Sequence, residues 1–148
     1  VNGEHQTLGH NRVNAYRVIN RVLKKPSKVA VSVRQIKKDN NFIAVNACAV
    51  GEFVNSALCV ALVENGIQRR ITGGENKGRI LREDNVVLDF KYIEIQGATG
   101  SEFHFSEKTS ANRNLSVVAF VQRIDSMSVL GAHASQIRRL GEDYAADL

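Results

Sequence analysis

The glycine-rich segment from residue 73 to residue 79 contains the side chains best suited to bind a ligand in this sequence. Gly73 and Gly78 are separated by four residues, which is the glycine spacing of a phosphate-binding loop. That loop requires Lys and then Ser or Thr after its second glycine, so that these side chains reach the phosphates and Mg²⁺. Arg79 and Ile80 occupy these positions here, and a strand pattern follows them. The sequence therefore excludes a phosphate loop of this kind.

The same segment fits a tight loop whose polar residues hold its own backbone. Its glycines suit positive φ values, Glu75 is placed to pair with Arg79, and Asn85 is placed to hold the loop backbone. We predict this structural arrangement. The alternative is a site in which residues 72–85 bind an anionic or polar ligand. The candidate residues are Gly74, Glu75, Asn76, Gly78, Arg79 and Asn85.

The sequence contains no motif that is typical of a catalytic nucleophile or of a metal site. Cys48 and Cys59 lie in apolar runs, where we expect buried free thiols, with a disulfide as the alternative if their strands are neighbours. No serine has the Gly-x-Ser-x-Gly surroundings of a hydrolase nucleophile. Metal-ligand spacing is absent from the four histidines, which are His5, His10, His104 and His133. We therefore predict no metal, no cofactor and no catalytic residue in this chain.

The segments that must position these residues have the alternating apolar pattern of β-strands from residue 29 onward. Val29, Val31 and Val33 alternate with small or polar residues, as expected of a strand buried on one face. Residues 58–63 and 115–121 are apolar on both faces, as expected of central strands. The pattern predicts a mainly β protein, a β-sandwich of about seven or eight strands. The other predicted strands cover residues 42–50, 67–71, 86–95, 102–106 and 129–134. In the strand at residues 102–106, Phe103 and Phe105 alternate with polar residues, which predicts that these two rings face the core.

The first 26 residues have a different pattern. Asn2-Gly3 is a turn signal, and residues 1–8 are predicted to form a short β-hairpin. One amphipathic helix follows, with Asn11 as its N-cap and Pro26 just beyond its end. Its predicted apolar face, a candidate surface for self-association, consists of Val13, Tyr16, Ile19 and Leu23.

These patterns divide the chain into a hairpin-helix piece at residues 1–26, a β-sandwich domain at residues 27–137 and a mobile tail at residues 138–148. The chain begins inside what has the pattern of a strand, so we expect an upstream segment to complete the N-terminal piece.

Positive charge is concentrated near the N-terminus. Residues 1–40 contain nine Lys or Arg against two acidic residues, whereas the rest of the chain contains 11 against 13. This basic segment makes nucleic-acid binding through the helix an alternative function. Tyr16 is the aromatic residue nearest the cations and lies on the apolar face, which makes this alternative the weaker one.

Several short motifs together resemble a bacterial secreted family of unknown function with a thioredoxin-like fold. The resemblance covers about residues 1–135, over which the motifs are Val1-Asn2-Gly3 with Leu8-Gly9-His10-Asn11, Ala61-Leu62-Val63, Gly74-Glu75-Asn76-x-Gly78-Arg79-x-Leu81, Asn85-Val86-Val87, Ala119-Phe120-Val121-Gln122 and Leu130-Gly131-Ala132.

The resemblance implies that residues 1–26 are the last hairpin and helix of a thioredoxin-like domain, followed by the family's C-terminal β-rich domain. The family's Cys-x-x-Cys segment has no counterpart here, so thiol-disulfide chemistry would require an upstream segment. The implied function is that of a non-catalytic module, secreted or periplasmic, which supports a redox domain or presents a surface to a partner. The expected partners are a second copy of the chain or the upstream thioredoxin-like domain.

Overall fold

The protein is mainly β, as the sequence predicts. The computed structural model describes residues 1–8, 10–38, 42–106 and 113–137, with the backbone alone for residues 35–38. These ranges contain one helix and nine strands, which are α1 (Arg12–Leu23), β1 (Val29–Lys38), β2 (Phe42–Gly51), β3 (Ser56–Glu64), β4 (Ile67–Arg70), β5 (Ile80–Glu83), β6 (Val86–Ile95), β7 (Thr99–Ser106), β8 (Leu115–Arg123) and β9 (Val129–Gln136).

Two antiparallel sheets form the sandwich. The three-stranded sheet has the order β1-β2-β7, and the four-stranded sheet has the order β6-β3-β8-β9. β3 and β8 lie inside the second sheet, which confirms the prediction that both are central. β4 and β5 pair only with each other and form a separate ribbon.

The core fills the space between the two sheets with side chains from alternate strand positions. Val29 is buried on β1, while Val31 and Val33 are partly buried against the core, as the alternation predicts. Phe103 and Phe105 of β7 point inward from between exposed neighbours. The fully buried side chains include Ile43, Val45, Leu58, Val60, Leu62, Phe105, Val117 and Val121.

α1 begins and ends where the sequence predicts. The side chain of Asn11 accepts a hydrogen bond from the backbone N–H of Asn14 at 3.0 Å, which satisfies one of the free donors at the helix start. The helix ends at Leu23, and Pro26 follows shortly after because proline cannot continue a helix.

The hairpin predicted for residues 1–8 is wrong in its strands and right in its turn. Asn2 and Gly3 both have positive φ, and the carbonyl of Val1 accepts hydrogen bonds from Glu4 and His5. No strand follows among these residues. The carbonyl of Asn2 instead accepts a hydrogen bond at 3.0 Å from the backbone N–H of Val129, at the start of β9. The turn is therefore attached to the sandwich and has no ladder of its own.

The edges of the two sheets meet where β1 adjoins β9. The hydroxyl of Ser27 lies 2.6 Å from the carbonyl of Val29 and 2.9 Å from the carbonyl of Leu130, so it links the two strands. A Cβ on Gly131 would lie 2.1 Å from the carbonyl oxygen of Val29. The two backbones are therefore too close for any residue except glycine at this point.

The two thiols are free, as predicted, and the disulfide alternative is wrong. Cys48 lies on β2 and Cys59 on β3, which belong to different sheets. Cys59 is buried, and this burial raises the pKa of its thiol. Cys48 is only half-buried, and its thiol donates a hydrogen bond to the side-chain oxygen of Asn46 at 2.9 Å.

One sequence prediction, the mobile tail at residues 138–148, lies outside the described residues. In the described part of the chain, no helix is long and apolar enough to cross a membrane.

Candidate functional site

The glycine-rich segment at residues 73–79, which we call the candidate loop, lies at the tip of the ribbon formed by β4 and β5. β4 leaves the sandwich after β3, and β5 returns the chain to β6. The sequence pattern placed a loop at residues 72–79 and defined no strand between this loop and residue 86, so β5 (Ile80–Glu83) was not among the predicted strands. The strand that follows Gly78 is consistent with the exclusion of a phosphate loop, in which a helix stands at this point.

Asn65 connects the base of the ribbon to the sandwich. Its side-chain oxygen accepts a hydrogen bond from the backbone N–H of Asn85 at 2.9 Å, and its amide nitrogen donates to the hydroxyl of Ser116 at 3.1 Å. Its backbone N–H donates to the carbonyl of Asn114 at 2.9 Å. One side chain therefore joins the outgoing strand, the returning strand and β8. The sequence predicts that the side chain of Asn85 holds the loop backbone, whereas in the structure Asn65 makes the bond to this position and Asn85 has a positive φ of 54°.

Charged side chains reinforce the base of the ribbon. The carboxylate of Asp84 accepts a hydrogen bond from the backbone N–H of Gly66 at 2.7 Å. Arg113 contacts Glu64 at 2.6 Å, and this hydrogen bond lowers the pKa of the Glu64 carboxyl. The ribbon therefore stands on a base that is fixed by both backbone and side-chain contacts.

The tip of the ribbon is closed by backbone hydrogen bonds and stands free of the sandwich. The N–H of Gly78 donates to the carbonyl of Ile71 at 2.8 Å, and the N–H of Lys77 donates to the carbonyl of Gly74 at 3.1 Å. Gly74 and Gly78 have positive φ, and a Cβ on either would meet no atom within 4 Å. The glycines are needed there for backbone conformation, as predicted, because no neighbour limits the space.

The side chains of the candidate loop do not form the predicted ion pair. Glu75 and Arg79 are both exposed, and no ion pair joins them in the described part of the chain. The ribbon's ion pair instead joins Arg69 to Glu83 at 3.0 Å. These two residues lie on opposite strands, and only knowledge of the β4–β5 register would have revealed them.

We expect Asn65→Ala to loosen the ribbon. The variant loses both side-chain hydrogen bonds at the base and leaves the N–H of Asn85 without that partner, at a cost of about 1–3 kcal/mol. Hydrogen exchange should become faster for the amides of residues 67–83, and denaturant unfolding should report the loss of stability. Asn76→Ala is the control, because Asn76 is exposed at the tip. Equal effects of the two variants would contradict the role of Asn65.

The apolar face of α1 is exposed along its whole length. Exposed fractions are 71% for Val13, 67% for Tyr16, 39% for Ile19 and 76% for Leu23. The opposite ends of the helix segment are both attached near the start of β9, through Asn2 to Val129 and through Ser27 to Leu130.

A second exposed apolar surface, the outer face of the four-stranded sheet, was not found from the sequence. Phe90 and Tyr92 of β6 are 48% and 62% exposed, and the ring of Phe90 lies 6.3 Å from that of Phe120 on β8. Between these aromatic residues, β3 contributes small side chains that are buried, namely Ala57, Cys59 and Ala61. We call this surface the outer apolar face.

The histidines are not brought together. His104 lies 2.9 Å from the Glu102 carboxylate on β7, while His5 and His133 lie in other parts of the fold. Among the described residues, no group of three His, Cys, Asp or Glu side chains could hold a metal ion.

Comparison of the sequence with models of protein families identifies the family of the chain. Residues 1–122 match the family described as a protein of unknown function, DUF1223. The chain belongs to the DUF1223 family. The match includes α1, the ribbon and the outer apolar face, so all three surfaces belong to the part of the chain that is matched. No curated protein matches this DUF1223 chain.

The solved structures that match the DUF1223 chain have low sequence identity to it. A domain of the outer membrane lipoprotein Omp28 from Porphyromonas gingivalis has a TM-score of 0.50 and 15% identity, over 75% of this chain and 88% of that one. This likeness supports the β-rich fold. A β-glucosidase from Kluyveromyces marxianus in complex with glucose has a TM-score of 0.39 and 11% identity, over 84% of this chain and 17% of the enzyme.

Proposed function

We propose that this chain is a non-catalytic β-sandwich module that associates with a partner through the exposed apolar face of α1. The observation that carries the proposal is the exposure of Val13, Tyr16, Ile19 and Leu23 on a helix attached at both ends. An apolar helix face attached in this way is placed to contact another chain or domain.

The energetics favour a partner that also covers the outer apolar face. Burying one large apolar side chain stabilises a complex by about 1.5–3 kcal/mol, less where the side chain is already half-buried. Association costs on the order of 4–15 kcal/mol in lost freedom of motion. Scaled by their exposed fractions, the four side chains of α1 contribute on the order of 4–8 kcal/mol, which reaches only the lower part of that cost. Adding Phe90 and Tyr92 increases the buried apolar area toward that of a stable interface.

The partner depends on the length of the protein. In a longer protein with the resemblance described above, α1 would complete a thioredoxin-like domain, and the domain boundary would fall near Pro26. In the 148-residue chain alone, a second copy takes that place. We propose an envelope or secreted location, which is supported by the resemblance and by the likeness in fold to a domain of an outer membrane lipoprotein.

Light scattering coupled to size-exclusion chromatography tests the proposal. We expect the chain to be a dimer or larger at high micromolar concentration and to dissociate on dilution. The double variant Tyr16→Ser with Leu23→Ser should be monomeric throughout, because it removes two of the most exposed apolar side chains of the helix. The double variant Arg17→Ser with Arg21→Ser changes other exposed positions of α1 and should associate like the original chain.

Two results would contradict the proposal. One is a chain that stays monomeric at high concentration. The other is equal dissociation of the two double variants, which would show that the apolar face has no special role.

A second candidate function is a module that binds an anionic ligand through residues 72–85. It is favoured by the exposed Arg79 at the tip, which has no ion pair within the described residues. Arg79→Ala should weaken binding without lowering the free energy of unfolding. If both fall together, the structural role is the better one. Gly74, Glu75, Asn76, Gly78 and Asn85 remain proposed members of this site.

A further inference from the structure

The ribbon has two faces of different composition. Residues directly opposite each other in an antiparallel pair share a face, so Gln68 lies beside Arg82 and Arg70 lies beside Ile80. All four are exposed. The other face contains Ile67, Leu81 and the ion pair of Arg69 with Glu83. We call the first set, Gln68, Arg70, Ile80 and Arg82, the basic face.

The ribbon carries an excess of positive charge that its own acids do not neutralise. Residues 67–83 contain five Lys or Arg against two acidic residues. Glu83 is already paired with Arg69 on the opposite face. No ion pair is found for Arg70 or Arg82 in the described ranges, so the basic face presents both guanidinium groups to solvent.

The basic face also exposes a large apolar side chain between its cations. Ile80 lies beside Arg70 and is 63% exposed. Arginines flanking an exposed aliphatic side chain suit the boundary between lipid headgroups and acyl chains, where the cations meet phosphates and the apolar group leaves water. Residues 67–83 contain no aromatic residue, so the ribbon lacks the stacking side chains with which proteins hold single-stranded nucleic acid.

The base of the ribbon keeps the basic face in a fixed orientation. Asn65 and Asp84 hold the two strands where they leave the sandwich. Binding therefore requires little ordering of the backbone, which favours a stable contact.

We infer that the basic face of the ribbon docks on an anionic lipid surface, with Arg70 and Arg82 on headgroup phosphates and Ile80 at the acyl boundary. The inference rests on the second candidate function, since it names the anionic ligand of the ribbon. It is independent of the association through α1.

Co-sedimentation with lipid vesicles tests the inference. We expect the chain to bind vesicles of phosphatidylcholine and phosphatidylglycerol and not those of phosphatidylcholine alone. Arg70→Ala with Arg82→Ala should weaken binding by about 20- to 30-fold, because each cation near an anionic surface contributes about a fivefold gain in affinity. Ile80→Ser should also weaken binding. Added salt should weaken the binding of the original chain by screening its arginines, but it should have little further effect on the Arg double variant, which lacks these charges.

The matched control changes two arginines that are already paired. Arg69 is paired with Glu83, and Arg123 is paired with Asp125 at 2.6 Å. Arg69→Ala with Arg123→Ala lowers the net charge by the same amount and should leave most of the binding. Circular dichroism confirms that each variant is folded. Tyr16→Ser with Leu23→Ser should bind vesicles like the original chain, which separates this contact from the helix.

Four results would overturn the inference. No binding to anionic vesicles, or an equal loss in both arginine double variants, removes the basic face as the contact. Loss of binding in the helix variant assigns the membrane contact to α1. The chain could also bind inorganic polyphosphate or a short DNA duplex more tightly than the vesicles. That result would support the second candidate function but would show that its ligand is a polyanion other than lipid. No binding to any of these rejects that function as well.

Discussion

Phe105→Ala is expected to lower the free energy of unfolding by about 3–5 kcal/mol. Phe105 is fully buried between the two sheets, and its loss leaves a cavity that the surrounding strands can fill only in part. Denaturant unfolding, followed by circular dichroism, measures the change through the midpoint at constant slope. A loss of this size would leave a typical domain close to unfolding at room temperature.

Phe90→Ala is the matched control for this prediction. Phe90 is 48% exposed on the outer apolar face, so the same substitution removes less buried surface and leaves no closed cavity. We expect a loss of less than about 1.5 kcal/mol at concentrations where the chain is monomeric. Equal losses in the two variants would contradict the placement of the core between the sheets.

Gly131→Ala is expected to destabilise the protein by about 2–3 kcal/mol. The new methyl group would lie 2.1 Å from the carbonyl oxygen of Val29, and the atom in its way belongs to the backbone of β1. Either β1 or β9 must move, and both the Ser27 link and the edge of the sandwich depend on their separation. Thermal unfolding followed by circular dichroism should show a lower Tm.

Gly73→Ala is the control for Gly131→Ala, because it adds the same methyl group at a position with no neighbouring atom. A Cβ on Gly73 meets no atom within 4 Å, so we expect a change of about 0.5 kcal/mol or less in either direction. If Gly131→Ala were as mild as Gly73→Ala, the backbones of β1 and β9 could not be in close contact at Gly131.

The strands that form the core could be predicted from the sequence because their pattern is local. Residues 58–63 and 115–121 are apolar on both faces, and both became central strands. The alternation around Phe103 and Phe105 placed the right side chains inside. The helix was also predictable, since Asn11 and Pro26 mark its two ends.

The ribbon and its base could not be predicted because their contacts join residues far apart in the chain. β5 has four residues and no buried side chain, so no alternation marks it. Asn65 holds an N–H that lies 20 residues further along the chain, and Arg69 pairs with Glu83 only through the register of β4 with β5. For the same reason, the sequence pattern assigned the contact with the loop backbone to Asn85 and paired Arg79 with Glu75.

The outer apolar face shows a different limit of the sequence pattern. An apolar run on both faces predicts a central strand, and this is correct for β3. The pattern does not show whether the second face is covered by the same chain or by a partner. Here Phe90 and Phe120 cover the small side chains of β3, while Phe90 and Tyr92 remain exposed.

The N-terminal segment between Asn2 and Ser27 is attached to the sandwich at both ends, so insertions in this segment should be tolerated. Asn2 and Ser27 bind neighbouring residues, Val129 and Leu130, so the chain between them is a closed loop whose ends are fixed by the sandwich. Doubling the length of such a loop costs only about 0.6 kcal/mol in closure entropy. The sandwich should therefore tolerate a longer segment between these two points, which makes this position suitable for grafting a foreign helix.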